Sequence, residues 1–177
     1  MDFDIVAENG YEWIRFHDEP TTPEALEAFF DSLTGKNRLA LERVCAGMPC
    51  PKMYMEQHAA EYGWTKEILA AAELFCPAPL PTPVKYFPVN WSCFENSFAL
   101  AETNGLIYVE GLAVSPTGPQ IHAWNSTNGR DVVDLTWPCQ HLNKYFGINL
   151  VPEKLRQICE IPWAILGRIA RDFKQNR

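Results

Sequence analysis

The sequence lacks the features that mark exported and membrane-embedded proteins. No window approaches the roughly 18 uninterrupted apolar residues that a membrane-spanning helix requires. The opening segment, MDFDIVAENG, has neither the basic region nor the apolar region of a signal peptide. We therefore expect a cytoplasmic protein that does not bind membranes and whose thiols stay reduced.

Basic residues are also scarce. Lys and Arg number 15 against 22 Asp and Glu, a formal net charge of −7 that disfavours binding to nucleic acid. The acidity is concentrated in residues 1–31, which hold nine acidic side chains and one basic one. We interpret this segment either as a solvated face or as a docking surface for a basic protein partner.

The six cysteines include no CxxC pair. Cys45, Cys50 and His58 lie near one another, but no second pair of ligands follows that would complete a zinc site. The sequence therefore predicts neither a disulfide framework nor a metal site. Five thiols are expected to be small buried apolar groups: Cys45, Cys50, Cys76, Cys139 and Cys159.

The chain is expected to form one domain, because 177 residues with 47% apolar content can bury a single core. Residues 1–76 and 152–177 are predicted to be mostly helical, except that residues 3–17 are expected to form short strands or irregular structure. Residues 77–88 contain five prolines and form a crossover, since proline cannot continue a helix. Residues 89–151 combine a helix with short strands separated by turn residues, which indicates an α+β fold.

Local patterns place the individual elements. Thr22 followed by Pro23 is typical of a helix start. Another helix is expected over Met55–Cys76, either continuous or broken at Gly63 and restarted by Thr65 as N-cap. A helix over residues 93–103 precedes four predicted strands: Leu106–Val114, Gln120–Trp124, Asp131–Thr136 and Tyr145–Leu150.

One cysteine has a different context from the rest. Ser92 and Glu95 form an S-x-x-E capping box, which makes Cys93 the first residue of its helix. The backbone N–H groups and the positive end of the helix dipole stabilise a thiolate at that point. The same N–H groups can stabilise the oxyanion that forms when a thiolate attacks a carbonyl. Cys93 is therefore a candidate nucleophile.

A histidine and an acid lie on consecutive predicted strands. His122 can hold a thiolate in an ion pair and deliver a proton to a leaving group, and Asp134 can hold that histidine in one tautomer. A two-residue turn at Asn128-Gly129 would place the two side chains on opposite faces. An odd-length turn, such as Thr127–Gly129, places them on the same face. A catalytic triad therefore requires an odd-length turn.

The combination of Cys93, His122-Ala123-Trp124 and Asp134-Leu135-Thr136 resembles the transglutaminase-like branch of the papain-like cysteine enzymes. The resemblance covers about residues 90–150. It implies a papain-like core in which the Cys-bearing helix packs on an antiparallel sheet. It also implies that Cys93 is the nucleophile, that the histidine transfers protons, and that the aspartate orients the histidine while an acyl-enzyme forms and breaks down.

Two positions differ from the pattern of that family. Leu135 follows the acid where the family commonly has proline, and no glutamine precedes the nucleophile to form an oxyanion hole. Asn90 or Trp91 is the candidate to replace that glutamine. Trp124 shares a face with the histidine and is interpreted as a packing residue, with substrate contact as the alternative.

Three further polar residues receive structural interpretations. Asp131 lies nearer the turn than Asp134 and is expected to cap it. Glu110 is expected on a solvated face of its strand, with a position lining the cleft as the alternative. Asn96 is expected to form hydrogen bonds within its own helix.

Taken together, these residues predict a cysteine-dependent acyl-transfer enzyme that acts on an amide through a thioester at Cys93, as a peptidase, amidase or deamidase. The substrate would be a protein, a peptide or a small amide, and no cofactor is needed. Three alternatives stay open. They are acyl transfer to an amine, as in a transglutaminase, a catalytically silent papain-like scaffold that binds proteins, and an unrelated structural protein in which the three residues never meet.

Overall fold

The structure is a computed structural model that describes residues 2–18, 20–79, 92–137 and 139–150. Within these ranges the chain has a mixed α+β fold, as the sequence predicts. Outside them lie most of the proline-rich crossover, Asn90, Trp91, Cys159 and the predicted C-terminal helices of residues 152–177.

The first described residues form an antiparallel hairpin. Strands β1 (Phe3–Glu8) and β2 (Tyr11–Phe16) pair along their whole length, and Asn9 and Gly10 form the turn between them. Both turn residues have positive φ, which a two-residue hairpin turn requires and which asparagine and glycine adopt most readily. Of the two structures expected for residues 3–17, strands are therefore the one that forms.

Four helices follow the hairpin: α1 (Pro23–Ser32), α2 (Gly35–Gly47), α3 (Pro51–His58) and α4 (Lys66–Ala71). The predicted N-cap of α1 is confirmed, because the Thr22 hydroxyl accepts a hydrogen bond from the backbone N–H of Ala25. The N-cap of α4 is confirmed in the same way by Thr65 and the N–H of Ile68.

The remaining elements are the five strands of one sheet, one helix and one 3-10 turn. These are β3 (Glu73–Pro77), α5 (Cys93–Asn104), β4 (Ile107–Ser115), β5 (Gly118–Ser126), β6 (Asp131–Val132), a 3-10 turn (Gln140–Leu142) and β7 (Lys144–Asn149). The strand order is β5-β4-β7-β3-β6. All pairs are antiparallel except β3 with β6.

The helix predicted over Met55–Cys76 is broken and restarts after Thr65, which is one of the two expected forms, but it is wrong at its C-terminal end, where the chain forms β3. Alanine, glutamate and leucine favour a helix in this stretch. Pairing outweighs that propensity, because β3 lies between β7 and β6 and buries Phe75 on the sheet. Together with the β1–β2 hairpin, this strand makes residues 1–76 less helical than predicted.

The predicted helix after the crossover and three of the four predicted strands are confirmed within a few residues. The exception is β6, which is shorter than expected and pairs with β3. Its contact with β5 is reduced to a single bridge between Asn125 and Val133. The chain turns away there because the Asp134 carboxylate accepts hydrogen bonds from the backbone N–H groups of Thr136 and Trp137.

That single bridge joins the two ends of the sheet, so the sheet curls back on itself. Its inner face buries Phe75, Val109, Ala113, Trp124, Val132, Trp137 and Tyr145. The absence of a side chain at Gly147 makes room for one of these residues, because a Cβ there would lie 2.6 Å from the Trp124 ring. The indole therefore packs directly against the β7 backbone.

The outer face of the sheet packs against α3 and α4. Their shared core includes Met55, Ile68, Leu112, Phe146 and Ile148, which are almost fully buried. Each such side chain stabilises the fold by roughly 1.5–3 kcal/mol. Helix α5 packs on β4 and β5, which brings its first residue, Cys93, to the sheet edge.

Candidate active site

The candidate nucleophile stands where the sequence predicts it, at the first residue of α5. Ser92 occupies the N-cap position, but its hydroxyl makes no capping hydrogen bond, so this half of the predicted capping box is not formed. Cys93 is half-buried. Its thiol therefore lies at the positive end of a 12-residue helix while keeping contact with solvent.

His122 and Asp134 form a buried pair. Nε2 of the histidine lies 2.7 Å from Oδ2 of the aspartate, and the two side chains are 5% and 1% exposed. Both lie on the same face because Asn125 pairs with Val133, which leaves the odd-length segment 126–132 between the paired residues. The parity of the turn is as the triad requires, although the specific three-residue turn Thr127–Gly129 is wrong.

The Asp134 carboxylate accepts four hydrogen bonds. Oδ2 accepts from His122 and also from the Tyr145 hydroxyl at 3.1 Å. Oδ1 accepts from the backbone N–H groups of Thr136 at 2.9 Å and Trp137 at 3.0 Å. A carboxylate that only accepts hydrogen bonds, from four donors, is bound in its ionised form. Asp134 is thus a fixed negative charge beside the imidazole.

The imidazole of His122 links this charge to the thiol. Because Nε2 is bound to Asp134, Nδ1 is the ring atom left for Cys93. Burial by itself lowers the pKa of His122, but the charge and hydrogen bond of Asp134, together with a hydrogen bond and charge from Cys93, raise that pKa above its ordinary value. The site therefore favours an imidazolium next to the sulfur, which is the arrangement that stabilises a thiolate.

Aromatic rings enclose the histidine. The Trp137 ring lies 4.8 Å from the imidazole, the Trp124 ring 6.2 Å and the Tyr145 ring 6.4 Å, measured between centroids. Trp124 is fully buried, which makes it a packing residue and not a substrate contact in this structure. These rings exclude water from the His122–Asp134 pair and fix the plane of the imidazole.

Two hydrogen bonds connect α5 to β5, which carries His122, and to the loop after β6, which carries Asp134. The Asn96 amide donates to the Thr136 hydroxyl at 2.9 Å, so its side chain forms a hydrogen bond outside its own helix, which the sequence did not predict. The Asn125 amide on β5 donates to the Ser97 carbonyl at 2.8 Å. These bonds fix the position of α5, and with it Cys93, relative to the loop that carries Asp134.

A second buried acid lies on the opposite face of the sheet. Glu110 is fully buried and accepts a hydrogen bond from the Tyr108 hydroxyl at 2.6 Å, so the expected solvated position is wrong. Burial and the Glu110 charge raise the pKa of Tyr108, which keeps its hydroxyl protonated as a donor.

The remaining described thiols have ordinary surroundings. Cys139 is buried, Cys45 and Cys50 are half-buried, and Cys76 on β3 is exposed, so the expectation of burial is wrong for Cys76. Burial raises the pKa of the Cys139 thiol to about 12 and also raises that of Cys45. All are free thiols, and within the described residues no cluster of three His, Cys, Asp or Glu could hold a metal ion.

Two cavities approach the site from outside. One, of about 590 Å³, is bordered by Asp134, Trp137 and the α1 acids Glu24 and Glu27. The other, of about 580 Å³, lies between the β1–β2 hairpin and the β4–β5 turn and is also bordered by Trp137. Trp137 therefore borders both spaces, and Asp134 borders the first.

Sequence reasoning missed two neighbours of the pair, Tyr145 and Trp137. Tyr145 was expected only as part of a strand, and nothing in the sequence gives the register that points its hydroxyl at Asp134. Trp137 lies one residue beyond the Asp134-x-Thr motif, and its position in sequence was the one signal that could have found it.

Comparison of the chain with protein-family models, with curated proteins and with solved structures gives no match. The resemblance to transglutaminase-like enzymes therefore stays a prediction from the residues. Among the described residues, no helix combines the length and the apolar content needed to cross a bilayer.

Proposed function

We propose that this protein is a cysteine-dependent acyl-transfer enzyme that acts on an amide, with a papain-like arrangement of helix and sheet. One observation carries the proposal: a buried His122–Asp134 pair, 2.7 Å apart, faces the half-buried Cys93 thiol at the start of α5. Nucleophile, proton carrier and orienting acid are the three parts that thiol-based acyl transfer needs.

The acylation step follows from these positions. The Cys93 thiolate attacks the carbonyl carbon of the substrate amide, and the carbonyl oxygen becomes an oxyanion near the N–H groups at the start of α5. The C–N bond then breaks, and His122 gives its proton to the leaving amine. The product of this step is a thioester at Cys93 and a free amine.

Deacylation returns the enzyme to its first state. Water, or a second amine, gives a proton to His122 as it attacks the thioester carbon. The C–S bond breaks, and the acid or the new amide leaves while the thiolate is restored. Asp134 keeps its charge throughout and holds the imidazole in one orientation.

Acyl capture tests this proposal directly. The native protein is mixed with p-nitrophenyl acetate, and the modified residue is mapped by mass spectrometry. We expect one acetyl group on Cys93 and a burst of nitrophenolate equal to the enzyme concentration. Cys93→Ala should abolish the burst, whereas Cys76→Ala, which removes an exposed thiol away from the site, should keep it.

Persistence of the burst in Cys93→Ala would contradict the proposal. If p-nitrophenyl acetate acetylates Cys93 but no amide substrate is turned over, the result would favour the catalytically silent scaffold. Adding a primary amine separates the two reactions of the active enzyme, because faster release with formation of an amide product indicates transfer, and an unchanged rate indicates hydrolysis.

A further inference from the structure

A buried tyrosine extends the triad by one residue. Tyr145 lies on β7, where it is paired with Ala113 on β4 and Phe75 on β3, and it is fully buried on the inner face of the sheet. Its hydroxyl donates to Oδ2 of Asp134 at 3.1 Å. This is the same oxygen that binds His122 at 2.7 Å.

The direction of this hydrogen bond is fixed by a neighbour. The amide nitrogen of Asn143 donates to the Tyr145 oxygen at 3.1 Å, so the single hydroxyl proton is directed to the carboxylate. Burial, followed by the Asp134 charge, raises the pKa of Tyr145 well above its ordinary value. The hydroxyl therefore stays protonated, and remains a donor, at neutral pH.

Two donors that share one carboxylate oxygen compete for its electron density. A hydrogen bond from Tyr145 stabilises the negative charge on Oδ2 and so weakens the hold of that charge on the imidazole proton. We infer that Tyr145 is a positioning residue that acts through Asp134, both to fix the carboxylate and to reduce the basicity that the carboxylate confers on His122.

A lower basicity of His122 matters for the chemistry of the proposed function. The expected effect of Tyr145 on turnover therefore rests on that function. A histidine that holds its proton too tightly is a poor general acid for the leaving amine. The ionisable groups that face His122 are Cys93 from α5, Asp134 from the loop after β6 and Tyr145 from β7. Its other described ring neighbours, Trp124 and Trp137, carry no charge.

The test is Tyr145→Phe, which removes one oxygen atom and keeps the ring. The pKa of His122 is measured by NMR titration, with its signals assigned by their loss in His122→Asn. We expect that pKa to rise by about half a unit, and the rate of acyl transfer from an amide to fall severalfold. Tyr54→Phe is the matched control, because Tyr54 is also buried but hydrogen-bonds to Tyr62 in another part of the fold.

An unchanged or lowered pKa of His122 in Tyr145→Phe, or an equal rise in Tyr54→Phe, would overturn the inference. If Tyr145→Phe does not fold, Asn143→Ala takes its place, because it frees the tyrosine proton from its fixed direction; a smaller rise is then expected, and no rise would overturn the inference. Failure of the wild-type protein to form a thioester would refute the proposed function alone, because the NMR titration needs no turnover.

Discussion

Asp131 and Asp134 lie three residues apart in the same segment, and each accepts several hydrogen bonds, yet they do different work. The Asp131 carboxylate accepts from the Ser126 hydroxyl, from the backbone N–H and hydroxyl of Thr127, and from the N–H of Asn128. All of these donors lie within five residues of it. Asp131 therefore closes the turn after β5, as the sequence predicts.

Asp134 takes its side-chain donors from far along the chain. His122 comes from β5 and Tyr145 from β7, and both meet the same carboxylate oxygen on the inner face of the sheet. Local bonds can be satisfied in any loop, whereas bonds of this kind exist only when the sheet has formed. A carboxylate that caps a turn therefore differs from a candidate active-site acid less in the number of its donors than in whether those donors come from neighbouring residues or from other strands.

Replacing each acid by its isosteric amide should affect the rate of acyl transfer very differently at the two positions. Asp134→Asn should lower the rate of acyl transfer by roughly 10³- to 10⁴-fold, because an amide cannot stabilise the imidazolium or fix the same tautomer. Asp131→Asn should change that rate by no more than about twofold. Steady-state kinetics on a chromogenic amide measures both, and equal losses in the two variants would contradict the division of roles.

Asp131 should have a small effect on the stability of the fold, and this effect should depend on pH. Burial tends to raise the pKa of this carboxyl, but hydrogen bonds from Ser126, Thr127 and Asn128 outweigh it and lower the pKa. A group whose pKa is lowered on folding adds stability above its unfolded pKa, and this stability is lost as the pH falls through the folded value. The group is largely open to solvent, so the stabilisation is below about 1 kcal/mol.

The corresponding measurement is urea unfolding of Asp131→Asn and wild-type protein at several pH values. At neutral pH the variant should be less stable by a few tenths of a kcal/mol, up to about 1 kcal/mol. The difference should shrink below about pH 4, where the wild-type carboxyl takes up its proton. A difference that grows as the pH falls would mean that the charge of Asp131 destabilises the turn.

The sequence predicts best what depends on neighbouring residues. The start of α5 at Cys93, the threonine caps of α1 and α4, and the turn function of Asp131 all follow from short motifs, and all are found. The parity that places His122 and Asp134 on one face does not follow, because it depends on the length of the turn, and the sequence allows both an even and an odd length.

Contacts between distant segments could not be predicted in this way. β3 is stabilised by β7, some 70 residues further along the chain, and its own residues favour a helix. Glu110 appears solvated by alternation alone, but α5 and the outer core cover its face of the sheet. Tyr145 joins the candidate site only because β7 lies beside β4, and that neighbour relation is a property of the whole sheet.

Competition between two thiols tests whether His122 activates the thiol of Cys93. Cys76 is exposed and Cys93 is half-buried, so access alone favours Cys76. Ordinary thiols, with a free pKa near roughly 8.5, alkylate slowly at about pH 6, whereas a thiolate held by an imidazolium reacts quickly. The native protein is treated with limiting iodoacetamide at that pH, and the modified cysteines are mapped in wild type and in His122→Ala.

The account predicts that Cys93 reacts at least tenfold faster than Cys76 in the wild-type protein, and that this preference disappears in His122→Ala while the rate at Cys76 is unchanged. If Cys93 reacts more slowly than Cys76 in the folded wild-type protein, or equally fast with and without the histidine, then His122 does not activate the thiol and the proposed acyl-transfer site is wrong.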